Sequence, residues 1–101
     1  MKQNFILLHP EDNVLVCIES SAEGVEVDVD GQAVRLPAAI EVGHKIARHA
    51  LYEGDKVVKY GAPIGSMLNS ASRGEHVHLH NMRSDYIPSH TRNRRGGGPH
   101  V

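Results

Sequence analysis

Turn signals cut this chain into short pieces, and that limits what it can fold into. Pro10-Glu11-Asp12-Asn13, Asp30-Gly31, Pro37, Glu53-Gly54-Asp55, Gly61-Ala62-Pro63-Ile64-Gly65 and Arg73-Gly74-Glu75 all carry turn chemistry. The pieces between them read as strands. Asn4 to Leu8 is a short one, and Val14-Leu15-Val16-Cys17-Ile18 is a continuous apolar run suited to a buried one. Val25, Val27 and Val29 alternate with Glu26, Asp28 and Asp30, the clearest period-two stretch in the chain. Gln32 to Leu36 alternates again after Asp30-Gly31. An Asp-Gly pair between alternating runs marks a tight hairpin, because both central positions of a type I′ turn need positive φ. Lys56 to Tyr60 reads as another strand. His76 to Met82 alternates too, with Val77 and Leu79 on one face and the histidines on the other. Residues 40–51 are ambiguous: Ile46, Ala47, Ala50 and Leu51 also fit one helical face. Ser66 to Ser72 leaves room for a short helical turn. No internal repeat is visible. Many short strands between irregular connections predict a mostly-β fold, with a clip or barrel favoured over a flat sandwich.

Composition narrows the class. The 101 residues are 40% apolar and 23% charged, so the chain reads as one globular domain. That length excludes a dinucleotide-binding domain with a second domain beside it, and a TIM barrel. No apolar run nears the roughly 18 residues of a membrane span. The segment MKQNFILLHPED lacks the apolar core of a signal peptide, and the expected compartment is the cytoplasm. A single cysteine, Cys17, excludes a disulfide framework and a multi-thiolate zinc site. Inside an apolar run it reads as a buried small hydrophobe. Residues 1–55 hold ten acidic and four basic side chains, net −6; residues 56–101 hold two and seven, net +5. A nucleic-acid binder calls for a larger basic excess interleaved with aromatics, so none is expected as a partner. Residues 1–86 are read as the domain and 87–101 as a flexible C-terminal tail.

Eight histidines in 101 residues is a high count, and three lie in His76-Val77-His78-Leu79-His80-Asn81. On a regular strand their side chains share a face, with neighbours about 6.5–7 Å apart. Two such imidazoles can converge on one metal, but the first and third, about 13 Å apart, cannot without a bulge. Any further ligand must come from elsewhere, with His44 and His49 as in-chain candidates and a partner chain as another source. The plain alternative is a polar sheet face that happens to use histidine. Gly43-His44-Lys45 and Lys59-Tyr60-Gly61 set two lysines beside glycines, where an ammonium can meet a carboxylate. No Ser-His-Asp signature, phosphate loop or EF-hand loop is present.

Four segments together resemble a known family: His9-Pro10-Glu11-Asp12-Asn13-Val14, Val42-Gly43-His44-Lys45-Ile46-Ala47, Gly54 to Gly65, and Gly74-Glu75-His76-Val77-His78-Leu79-His80-Asn81. Their order and content are similar to the SAF-type module of the altronate/galactarate dehydratases. The small subunits of the sulfolactate sulfo-lyases are similar too. The resemblance implies a small β-clip domain and a sugar-acid substrate that undergoes β-elimination. It implies a divalent metal, Fe2+ or Mn2+, held mainly by a large catalytic subunit that this chain would partner, with a homo-oligomer as a further option. Residues falling on the family motifs are expected to line the shared site. His76 and His78 are expected as catalytic and metal-binding residues, and His44, Lys45, Lys59, His80 and Asn81 as substrate-binding ones. The tail after Met82, including residues 84–88, is expected to dock the large chain. A non-catalytic module that binds a sugar acid or a metal is the alternative, since SAF-type modules serve several functions.

Overall fold

The computed structural model describes residues 4–85. Among these residues the chain forms nine strands and no helix. In chain order they are β1 (Phe5–Ile6), β2 (Val14–Cys17), β3 (Glu26–Val29), β4 (Gln32–Arg35), β5 (Lys45–Ala47), β6 (Lys56–Lys59), β7 (Ala62–Met67), β8 (His76–Val77) and β9 (Met82–Ser84). A central antiparallel sheet runs β1-β2-β5-β8, flanked by the β3-β4 hairpin and a β6-β7-β9 sheet. The mostly-β expectation holds. No helix among the described residues is long and apolar enough to cross a membrane. Residues 86–101, including the expected tail and most of the expected docking segment, lie outside the described residues.

Alternation along the central strands feeds two cores. Phe5, Leu15, Cys17 and Ile46 pack with Val27, Val29, Leu36 and Ile40 of the first hairpin and its flanks. Val14, Ala47 and Val77 pack with Val57, Ile64, Met67 and Met82. The central sheet is therefore covered on one face by β3-β4 and on the other by β6-β7-β9.

The two cores are copies of one unit, which overturns the expectation of no internal repeat. Four turns share one geometry. In each, the last N–H donates to the first carbonyl: Val25 to Ala22, His44 to Glu41, Asp55 to Tyr52 and Glu75 to Ser72, at 2.9–3.2 Å. The third residue of each is a glycine at φ between 86° and 89°. Ser21 bridges Ile40 as Leu51 bridges Ala71. The hairpins turn on Asp30-Gly31 (φ 54° and 81°) and Tyr60-Gly61 (φ 57° and 77°), both type I′. Equivalent positions lie 30 residues apart before the second hairpin and 31 after it (Ser21 to Leu51, Ile40 to Ala71), because β6-β7 carries a bulge. Cys17, Val27, Leu36, Ile40 and Ile46 thus correspond to Ala47, Val57, Met67, Ala71 and Val77, one core mapped onto the other. Each unit adds one strand to the central sheet and one hairpin to alternating faces.

Two asparagines close strand edges. Asn81 Oδ1 accepts the N–H of His78 and its Nδ2 donates to the carbonyl of His76, both at 2.9 Å. Asn13 treats β6 the same way, with Oδ1 accepting from Val58 N–H and Nδ2 donating to Lys56 O, both at 2.8 Å. Each amide takes the donor and acceptor that a further strand would pair with. Asn81 therefore ends β8 at Val77, and the chain turns, with Asn81 N–H and Met82 N–H both donating to His78 O. The expected strand from His76 to Met82 is corrected accordingly. Leu79 does not join the core but is 45% exposed.

Three smaller expectations also change. Residues 45–47 form β5 rather than part of a helix, because the turn at Gly43 delivers them between β2 and β8. Gly61 to Gly65 is not one turn. The reversal is at Tyr60-Gly61, and Ala62 onward is β7, with Pro63 tolerated at the bulge. Ser66 and Met67 continue that strand, so no helical turn forms there.

A candidate three-histidine metal centre

Three of the expected site residues meet at the β5-β8 end of the central sheet. His44 is the last residue of a repeat turn and leads into β5. His76 opens β8 opposite Ile46, and His78 sits where Asn81 bends the chain. One ligand nitrogen from each of His44, His76 and His78 lies within 4.8 Å of the others. His44 Nδ1 and His76 Nε2 are 2.9 Å apart, a hydrogen bond that requires one ring to donate and the other to accept. The His76 and His78 rings stack at 5.5 Å, and His80 stands 5.1 Å from His76. The early end of β8 makes this possible: a regular strand would carry His80 away, whereas the turn folds it back. His49 is elsewhere, with its Nδ1 at the carbonyl of Ala50.

The electrostatics favour a neutral imidazole at His76. Burial pushes His76 down to about 4, helped by His80, His44, His78 and the charge on Lys45. A neutral ring keeps the lone pair that a metal needs. Ligands at about 2.0–2.1 Å from a tetrahedral ion lie roughly 3.4 Å apart, so modest ring rotation brings the three nitrogens to a common point. Three imidazoles with no carboxylate suit a borderline divalent ion such as Fe2+ better than an oxygen-seeking one. The donor set fits the metal that the resemblance implies.

The remaining expected residues divide. Lys45 is only 1% exposed, and burial followed by the charge of Lys59 lowers it to about 8. Both lysines replace core residues of the first unit: Lys45 stands where Leu15 does, and Lys59 where Val29 does, and those two pack together in one cluster. Asn81 is brought close to the histidines, but its amide is engaged by the backbone of His76 and His78. Cys17 is buried, and its thiol, pushed up by burial, donates to Glu19 O at 3.2 Å.

The N-terminal segment carries a role the sequence did not disclose. Asp12, 2% exposed, accepts the N–H groups of Tyr60 and Gly61 at 2.8 Å each. Arg48 donates to the carbonyls of Pro10 and Asp12 and pairs with Asp30 at 2.8 Å. His9 lies against Gly61, where a Cβ would meet its ring at 3.0 Å. These groups fix the second hairpin tip and with it Lys59. Only an acid placed just before a strand hinted at this, and such acids are common in turns.

Residues 3–85 match the model of the altronate/galactarate dehydratase SAF domain. The chain is 44% identical over 81 residues to an altronate dehydratase of Escherichia coli, a match covering 80% of this chain and 16% of that protein. It is 37% identical over 83 residues to an altronate dehydratase of Bacillus subtilis, covering 82% of this chain and 17% of that protein. It is also 45% identical over 60 residues to the (2R)-sulfolactate sulfo-lyase subunit alpha of Paracoccus pantotrophus, covering 57% of this chain and 90% of that subunit. The chain thus spans about a sixth of the dehydratases it matches. With the match running from before β1 to beyond β9, the chain belongs to the altronate/galactarate dehydratase SAF-domain family.

Proposed function

We propose that this chain is the SAF part of a hydroxy-acid lyase of the altronate/galactarate dehydratase type and works with a separate large catalytic polypeptide. The observation that carries this reading is the convergence of His44, His76 and His78 within 4.8 Å on the surface of a domain belonging to that family. These histidines would hold a divalent ion, Fe2+ preferred over Mn2+ for an all-imidazole set. Such an ion, when bound, would supply Lewis acidity for departure of the hydroxyl. Lys59 and the buried charge of Lys45 draw the substrate carboxylate to the same end of the domain, and His80 borders the ring of His76. Asn81 holds the His76–His78 turn. In the reaction a base on the large polypeptide takes the proton α to the carboxylate. The C–H bonding pair becomes the new C=C bond, and the β-hydroxyl leaves with the C–O bonding pair and is protonated to water.

A second reading, the small subunit of a sulfolactate sulfo-lyase, is supported by the match itself, which covers 90% of the Paracoccus alpha subunit. It keeps the same module and changes the leaving group from hydroxyl to sulfite. Co-expression with the large polypeptide, followed by assays on altronate, galactarate and sulfolactate, separates the two readings. Replacing His76 and His78 by Ala is expected to abolish turnover of the complex and leave the melting curve of the chain two-state. A large polypeptide fully active without this chain overturns both readings and leaves a non-catalytic binding module.

A further inference from the structure

The repeat makes one residue of the second unit conspicuous. Both hairpins turn on the same type I′ geometry, which puts the first central residue in the left-handed region. The first hairpin uses Asp30 there (φ 54°), and the second uses Tyr60 (φ 57°). Asp and Asn tolerate that region, whereas an aromatic residue is strained in it. The strain is held in place by Asp12, whose buried carboxylate accepts the N–H groups of Tyr60 and Gly61. Asp12 compensates the backbone only; among the described residues the Tyr60 side chain gains little packing in return, because it is 73% exposed. Strained residues kept at an exposed position point to a task outside the fold.

The neighbourhood names the task. Lys59 precedes Tyr60, is half-buried, and occupies the position where Val29 is 0% exposed in the first unit. Behind it lies the charge of Lys45, where the first unit has Leu15. Two cations thus replace two packed apolar side chains at the end of the second core, and Tyr60 is fixed at its lip. We propose that Tyr60 is a ligand-contacting residue whose phenol O–H donates a hydrogen bond to the substrate carboxylate beside Lys59. Lys45 acts from below through its charge. This rests on the reading above that the lysines attract a carboxylate, and it adds a directional donor beside them.

The test is a titration of the full chain with altronate, followed by the amide NMR signals of residues 59–61. Wild type is expected to shift at these amides. Tyr60→Asn keeps a residue suited to the turn and is expected to melt no lower than wild type. It binds altronate about tenfold more weakly, the loss of one hydrogen bond to a charged group. Tyr60→Phe weakens binding to the same extent. Wild-type affinity in either variant overturns the proposal, as does the absence of any shift in wild type. If Lys59→Met loses affinity and Tyr60→Asn does not, only the role of Tyr60 fails. If Lys59→Met also binds as wild type, the carboxylate reading fails with it. A Tyr60→Asn chain that keeps altronate affinity but no longer co-purifies with the large polypeptide makes Tyr60 a docking residue and likewise overturns the proposal.

Discussion

The first and second repeat units share turns, bridges and hairpins but use them differently. The first packs Leu15 and Val29 into its core and turns Glu26, Asp28 and Asp30 outward along its hairpin. The second places Lys45 and Lys59 at the equivalent core positions, and its hairpin presents Lys56 and Tyr60 instead. The histidine cluster is completed by the strand of the second unit. One unit obeys the rules of a stable β scaffold, while the other breaks them at positions that lie together, as expected of a site superimposed on a fold.

The comparison breaks most sharply at Gly65. It corresponds to Val34, since Val57 pairs with Gly65 as Val27 pairs with Val34. A Cβ at Gly65 collides with the carbonyl of Arg83, because β9 crosses there and the first unit has no such strand. Gly65→Val is expected to destabilise the chain by about 3 kcal/mol or more, read by urea denaturation. Asp12→Ala comes next. It leaves the N–H groups of Tyr60 and Gly61 without their carboxylate and costs about 2 kcal/mol, with amide exchange at the second hairpin tip accelerated and that at Asp30-Gly31 unchanged.

Lys45→Leu restores the residue of the first unit and should stabilise the chain by about 1–2 kcal/mol at neutral pH. The sign follows from linkage. A lysine whose folded pKa is lowered from 10.5 to about 8 opposes folding fully below pH 8, and that penalty fades as pH rises to 10.5. The advantage of the variant should therefore shrink across that window in melting curves, and activity of the complex should fall. The smallest effect concerns His76. Its folded pKa of about 4 lies below the ordinary 6.5, so the unfolded chain binds more protons between these values. Stability is then lost as pH falls from 6.5 to 4, and His76→Gln should flatten that part of the profile.

Much of this was legible in the sequence where local chemistry decides the outcome. Asp30-Gly31 and the alternation around it specify the first hairpin, and Val14 to Cys17 forms the buried strand its apolar run suggests. The second hairpin was misplaced because Tyr60 disguises a type I′ turn and Pro63 argues against a strand. The repeat was hidden because equivalent core pairs such as Cys17/Ala47 and Leu36/Met67 conserve burial without conserving identity. The histidine cluster was half legible: His76 and His78 share a segment, but the arrival of His44 depends on β5-β8 pairing across 32 positions, which no local pattern encodes.

The convergence of three imidazoles is tested most directly by titrating the full chain with Co2+ and following the ligand-field absorption. One equivalent should bind, with His44→Ala, His76→Ala and His78→Ala each weakening affinity about tenfold or more and His49→Ala binding as wild type. Binding that is absent, or that survives loss of any one of the three rings unchanged, contradicts the account.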